Sequence, residues 1–240
     1  VSISEGTRER VWEAARKLNY HPDSAGRKLV SGRSNTLGLV LCQSPEQVFA
    51  DAFLPRVVFG VEQAAMQQDF HVLLKQVDPS DTQGYSRLIR ENHVDGILLS
   101  GPRQDDADIR RLHEEGVPIM LMGQLPGTDL CFVDVNAIDG AQVAVEHLLG
   151  LGHLRIGMIT NAPLSYTSAQ QRRAGYTAAL QHRNIEPDPA LIMEGNYTPA
   201  SGYHAMLQLL RETHRPTAVF VASDVVAAGA ILAAKRSGLR

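Results

Sequence analysis

Strand-length apolar runs alternate with amphipathic helical stretches along most of this chain, and that alternation leaves few folds open to it. The runs are Leu37–Cys42, Val72–Val77, Gly96–Ser100, Val117–Met122, Arg155–Thr160, Ala190–Glu194 and Thr217–Ala222. Helical stretches lie between and after them: Pro55–Gln68, Thr82–Asn92, Asp106–Glu115, Asp139–Leu149, Ser168–Arg183, Pro199–Glu212 and Ser223–Ser237. Strands that are apolar on both faces belong in a parallel sheet covered by helices on both sides. There are too many such units for one small sheet. A break near Val133–Asn136 divides them into two doubly wound α/β lobes, residues 36–134 and 135–240. Doubly wound sheets present ligands beyond the carboxyl ends of their strands, so the cleft between the lobes is the expected binding site.

Residues 1–35 have a different character. Ser4 stands where a helix cap is wanted, Glu5 favours the positive helix end, and Val11, Ala14, Ala15 and Leu18 form a stripe at helical spacing. Asn19-Tyr20-His21-Pro22 ends that helix, because the residue before proline avoids the α region. A second, weak helix is expected over Asp23–Val30. Gly26 inside it costs about 1 kcal/mol of helix propensity, and Ser31-Gly32 stops it. This segment carries seven Lys/Arg against four Asp/Glu, a balance of +3, whereas the remainder carries sixteen against twenty-two, −6. A basic lead on an acidic body suits a segment that meets phosphate, joined to a body that does not. A solvated helix face gives the same count.

The absences narrow the functional classes. Cys42 and Cys131 sit in apolar runs without metal-ligand spacing, which reads as two buried thiols and no zinc site. His147 and His153, six apart around a helix end, are poor ligand geometry. Gly150-Leu-Gly152 precedes a strand where a dinucleotide fingerprint follows one, and reads as a helix C-cap. No phosphate-cradling loop ending in Lys-Ser/Thr and no Gly-x-Ser-x-Gly elbow occurs. Asp105, Asp106 and Asp108 read as a solvated helix start. An enzyme is therefore not expected, nor a cofactor. The longest apolar run, Val225–Ala234, is too short and alanine-rich to span a membrane, and no secretory signal opens the chain. A cytoplasmic protein without membrane partners is the expectation.

Three ordered stretches carry a resemblance to a known family. The first is Ser4-Glu-Gly-Thr-Arg-Glu-Arg-Val, Leu18-Asn-Tyr-His-Pro, Arg27-Lys-Leu and Ser31-Gly-Arg-Ser-Asn-Thr-Leu-Gly-Leu-Val. The second is Val94-Asp-Gly-Ile-Leu-Leu with Gly116-Val-Pro-Ile. The third is Val145-Glu-His-Leu-Leu-Gly-Leu-Gly-His, Arg172-Arg-Ala-Gly-Tyr, Ser201-Gly-Tyr and Pro216-Thr-Ala-Val-Phe-Val-Ala-Ser-Asp. Together they resemble the LacI/GalR family of transcription regulators over nearly the whole chain. The resemblance implies a periplasmic-binding-protein-like core. It implies that residues 1–35 hold the end of a helix-turn-helix headpiece and a hinge helix, with further headpiece helices upstream and core elements beyond Arg240. The implied partners are operator DNA, a small effector of sugar type bound between the lobes, and a second copy of the chain in a homodimer or a dimer of dimers.

The resemblance also assigns residues. Leu29 matches a leucine that wedges a base step in the minor groove. An apolar wedge kinks the duplex, a cost offset by added phosphate contacts, for which Arg27, Lys28 and Arg33 are candidates. Gly26 replaces the usual alanine, so the hinge is expected to order only on DNA. In the cleft, Arg172 matches an effector-binding arginine, whose guanidinium is a rigid donor fork for vicinal hydroxyls. Asp139 matches an acidic contact, or caps the helix that follows it. Tyr197 matches an aromatic platform for a sugar ring, or packs in its loop. Tyr166 and Ser168 fall in a pocket loop, Ser223 and Asp224 follow a strand end, and Phe53 lines the pocket or fills core. Nucleobase or sugar-phosphate effectors stay open, as does a transport receptor with the same two-lobed core. The basic hinge before the first strand argues for the regulator.

Overall fold

The computed structural model describes residues 4–20, 32–43, 47–48, 52–78, 81, 83–91 and 93–239. A helix, α1 (Glu5–Lys17), comes first. A run of βα units follows: β1 (Thr36–Leu41), α2 (Phe53–Met66), β2 (His71–Gln76), α3 (Gly84–Arg90), β3 (Gly96–Ser100), α4 (Ala107–Glu114), β4 (Ile119–Met122) and β5 (Cys131–Val133). A second run holds α5 (Ala137–Gly150), β6 (Ile156–Ile159), α6 (Thr167–Gln181), β7 (Ile192–Met193), α7 (Pro199–Leu209), β8 (Ala218–Val221) and α8 (Asp224–Arg236). The expected second helix, Asp23–Val30, lies outside the described residues, and Arg27, Lys28 and Leu29 lie there with it.

All strand pairs are parallel. The first sheet runs β2-β1-β3-β4-β5 and the second β7-β6-β8. Because successive strand residues point to opposite faces, each sheet has a core on both sides. On β1, Leu39 and Leu41 pack with Leu54 of α2, while Val40 faces Ile109 and Leu112 of α4. On β6, Ile156 and Met158 face Val145 and Tyr176, while Ile159 faces Leu209 and Val226. Two helix pairs pack at backbone distance. A Cβ added to Gly175 of α6 would stand 2.1 Å from the Ile138 carbonyl of α5. One added to Gly229 of α8 would stand 1.7 Å from the Pro199 carbonyl of α7.

Several elements differ from the sequence reading. β5 was not expected: it is three residues long, at a sheet edge, with every residue exposed, so Cys131 is an exposed thiol. The run Ala190–Glu194 is a strand only at Ile192–Met193. The Asp188 side chain accepts from Ala190 N (3.0 Å) and winds Pro189–Leu191 into a 3₁₀ turn. Asp106 and Asp108 are buried, not solvated. Asp108 accepts from the free N–H groups of Tyr85 (3.2 Å) and Ser86 (3.1 Å) in the first turn of α3, and from Arg111. The Tyr85 hydroxyl donates to Asp106 (3.3 Å) and meets the Cys42 thiol at 3.1 Å; burial lifts that thiol to about 11. The stripe on α1 is not buried among the described residues: Val11, Ala14 and Leu18 are exposed and Ala15 is half-buried, and the Ser4 hydroxyl pairs with Thr7 Oγ1 (2.9 Å) without capping a helix N–H.

Gly150-Leu-Gly152 does end a helix. Gly152 takes φ +89°, and its N–H donates to Leu149 O (3.0 Å) while His153 N donates to Leu148 O (3.2 Å). This is the Schellman pattern, in which a left-handed residue satisfies the last carbonyls.

Candidate functional site

In the first sheet the order of strand addition reverses between β1 and β3, and in the second about β6, which lies between β7 and β8. Loops leaving the strand ends at such points part and leave a crevice. The two crevices face each other across a cavity of ≈ 570 Å³. From the first lobe its wall takes Gln43 after β1, Ser100–Pro102 after β3, Gly123 after β4, Asp134 and Val135 after β5, and Phe53 and Val57 of α2. From the second it takes Asn161 after β6, Thr167, Ser168 and Arg172 of α6, Tyr197 after β7, and Ser223 and Asp224 after β8.

The second lobe's polar groups are locked together. Asn161 Nδ2 donates to Ser168 Oγ (3.2 Å), and Arg172 Nη1 donates to Ser168 O (3.2 Å). Tyr197 sits at φ +64°, with its N–H donating to Asn161 O (2.8 Å). Burial raises the Tyr197 hydroxyl above the ordinary phenol range, against the hydrogen bonds of Ser168 and Gln43 and the charge of Arg172. Two acceptors are left over among the described residues. Gln43 Oε1 and Asn161 Oδ1 are buried in the cavity wall with no hydrogen-bond partner. Among the described residues the charged lining is Arg172, Asp134 and Asp224.

The expected residues divide cleanly. Phe53, Ser168, Arg172, Tyr197, Ser223 and Asp224 come together in the lining. Asp139 and Tyr166 do not. Asp139 stands in the first turn of α5, where Asn136 is the cap: Asn136 Oδ1 accepts from Asp139 N (3.1 Å) and Asn136 Nδ2 donates to Asp139 Oδ2 (2.6 Å). Tyr166 lies behind the wall, edge-on to Tyr197 at 5.7 Å, with its hydroxyl donating to Cys42 O across the lobes (3.2 Å). Ser223 is the cap residue of α8 but makes no side-chain cap bond, and Asp224 opens the helix. Gln43, Asn161 and Asp134 escaped the sequence reading. Their signal was position alone, at or just past the end of a strand on the crevice side.

Other contacts cross the cleft. Gln104 N donates to Ser165 O (3.0 Å), Gln47 Nε2 donates to Asn196 O (2.6 Å), and Gln170 donates to the Gln104 side chain. Tyr166 and Ala169 belong to the first lobe's core cluster. Upstream, Arg33 is exposed beside a built joint: Asp95 accepts from Ser34 N (2.7 Å), Ser34 Oγ (2.7 Å) and Asn35 N (2.8 Å). Burial works against the Asp95 carboxylate, but these three donors and Arg33 hold it below its usual range. Among the described residues no cluster of His, Cys, Asp or Glu is arranged to hold a metal, and no helix is long and apolar enough to cross a membrane.

Comparison with known proteins gives consistent matches. Residues 34–240 match the model for periplasmic binding proteins and sugar binding domain of LacI family. The HTH-type transcriptional repressor PurR of Klebsiella pneumoniae (strain 342) is 32% identical over 99% of this chain and 70% of its own length. The HTH-type transcriptional regulator CelR of Thermobifida fusca is 33% identical over 99% of this chain and 71% of its own. Among solved structures, the CelR–cellobiose complex superposes with a TM-score of 0.79 at 31% identity, covering 100% of this chain and 72% of that one. The lac repressor dimer bound to operator and the anti-inducer ONPF gives 0.78 at 29% identity, covering 100% and 72%.

Proposed function

The chain belongs to the LacI family of transcription regulators, and from that premise we propose that its inter-lobe cavity binds a neutral, polyhydroxylated effector of the sugar class, which sets its affinity for operator DNA. The observation that carries the choice of effector is the make-up of the cavity wall, where the amides Gln43 and Asn161, one from each lobe, stand with Ser168, Ser223 and Arg172. Amides and hydroxyls both donate and accept, so such a wall pairs with hydroxyl groups in either sense. Hydroxyl groups supply donors; an ionised phosphate supplies only acceptors. Charge argues the same way, since among the described residues Asp134 and Asp224 outnumber Arg172 in the wall. Phe53 and Tyr197 add aromatic surface for the apolar side of a sugar ring. CelR has been solved with cellobiose, which fits this reading.

An effector touching both lobes favours the lobe arrangement it binds more tightly and shifts the population toward it. The joint at Ser34–Asn35 and Asp95 passes that arrangement to the hinge, where Leu29 serves as wedge and Arg27, Lys28 and Arg33 neutralise phosphate. Two hinges side by side require a homodimer, as in the lac repressor dimer on its operator. The role is regulatory, not enzymatic, and its setting is the cytoplasm, where the DNA is.

Thermal melting against sugars, nucleosides and sugar phosphates tests the effector class, because a ligand of the folded state raises the melting temperature by mass action. A neutral sugar is expected to raise it. Arg172→Ala is expected to weaken that sugar about tenfold or more while leaving the ligand-free melting temperature near its original value. Stabilisation by phosphates alone, or an unaltered sugar affinity in Arg172→Ala, overturns the proposal.

A further inference from the structure

Strands β1 and β3 are neighbours inside the first sheet, paired in parallel from Leu37↔Gly96 to Leu41↔Ser100. Both ends of this pair are tied down, by different parts of the molecule. At the start, Asp95 just ahead of β3 takes its three hydrogen bonds from Ser34 and Asn35 just ahead of β1, and its own N–H donates to Thr36 O (2.8 Å). At the far end, two consecutive residues of the second lobe hold one strand each. The Tyr166 hydroxyl donates to Cys42 O, one residue beyond β1 (3.2 Å). Thr167 donates through its N–H and its hydroxyl to Pro102 O, two residues beyond β3 (3.2 Å each).

Nothing along this path is loose. Tyr166 and Thr167 are buried, and the Tyr166 ring packs in the first lobe's core. Leu39, Val40, Leu41 and Leu99 are buried between the two ends. A Cβ added to Gly96 would stand 3.1 Å from Pro118 O, so β3 has no slack against its neighbour. A strand pair bonded along its length in a close-packed interior moves as one body. The six residues of β1 span about 20 Å from the joint to the cleft. On the other side of the grip stands Ser168, which accepts from Asn161 at its hydroxyl and from Arg172 at its carbonyl. The polar cluster of the cavity wall and the Ser34–Asn35 joint therefore lie at opposite ends of one strand pair, with Tyr166 and Thr167 between them.

Resting on the regulator reading above for its purpose, we propose that Tyr166 is a positioning residue that couples the cavity to the joint without touching the effector. Its hydroxyl fixes the end of β1 to the head of α6, as Thr167 fixes the end of β3. A shift of α6 then tilts β1 and β3 together and changes the hold of Asp95 on Ser34 and Asn35.

The test is amide hydrogen exchange on the protein as its gene encodes it, with neither effector nor DNA present. Tyr166→Phe keeps the buried ring and removes only the hydroxyl. The Ser34 and Asn35 amides, both bonded to Asp95, are expected to exchange about threefold or more faster in that variant, while β7 and α7 keep their parent rates. In the reverse direction, Asp95→Asn is expected to speed exchange at the Thr167 amide, since coupling is reciprocal. If Tyr166→Phe does not fold, Thr167→Val, which leaves the tyrosine in place, is measured instead and read the same way. Faster exchange confined to the neighbourhood of Cys42 and Tyr166, or a parent rate at Thr167 in Asp95→Asn, overturns the proposal. So does a rise of the same factor at β7 and α7, which is loss of overall stability. Because no effector is present, failure here leaves the sugar reading standing, and failure of every sugar to raise the melting temperature leaves the exchange result as it is.

Discussion

Single side chains tie the segment before β1 to the first sheet. Asp95 accepts three hydrogen bonds from Ser34 and Asn35, and its carboxyl is held below the usual range. A carboxylate favoured by the folded state adds stability above its unfolded pKa, and loses it as the pH falls through the folded value. Asp95→Asn is therefore expected to melt below the parent at neutral pH, with the gap closing on acidification beneath the ordinary carboxylate range. Melting curves across pH measure this, and a gap that stays constant with pH contradicts it. At this scale the site was half legible. Arg172, Tyr197, Ser168, Ser223, Asp224 and Phe53 announced themselves by residue type and motif, and all six line the cavity. Gln43 and Asn161 are amides following apolar strands, and nothing in their type marks them until the strand order is known. Asp139 was read as an effector contact or as the cap of its helix; in the structure it stands in the first turn of α5, outside the cavity lining, and Asn136 is the cap.

Elements were easier to read than sites, because periodicity reports burial directly. Leu39, Val40 and Leu41 are apolar in succession since each faces a core, and the same holds for Ile156 to Ile159. Where burial is lacking, the signal fails. Cys131-Phe132-Val133 pairs only with β4 at the sheet edge, so its exposed side chains show no alternation. Pro189 follows Asp188, and that local capping bond overrode the strand pattern of the next two residues. The turn at Gly152 was legible for the opposite reason: a left-handed φ leaves almost no alternative to glycine. Gly152→Ala is expected to cost about 1–2 kcal/mol, read as a lower denaturant midpoint with an unchanged slope. A midpoint that does not move would mean that the end of α5 tolerates refitting.

The whole molecule joins two sheets that build one cavity from their facing ends, with the Ser34–Asn35 joint on the first. The operator binding proposed above belongs to this scale, since paired hinges need two chains. If the hinges act as paired wedges, Leu29→Ala in the protein as its gene encodes it lowers operator affinity by about tenfold or more, a wedge being worth a few kcal/mol of unstacking. Gel-shift titration at fixed salt reads this. Affinity within error of the parent would rule out Leu29 as the wedge, whatever the effector does.

Tyr166 and Ala169 come from the second lobe but lie in the core of the first, and Tyr166 reaches back to the backbone of Cys42. The lobes are consequently not interchangeable cassettes. A chimera joined between residues 134 and 135, as the two-lobe reading would suggest, separates the first sheet from side chains that complete its interior. Swapping effector specificity between relatives should succeed only if residues 161–169 travel with the first lobe, or if the recipient's own residues there fit it. Evolution by lobe exchange would face the same constraint, so new effector specificities in such a chain are more readily reached by changing the cavity wall in place.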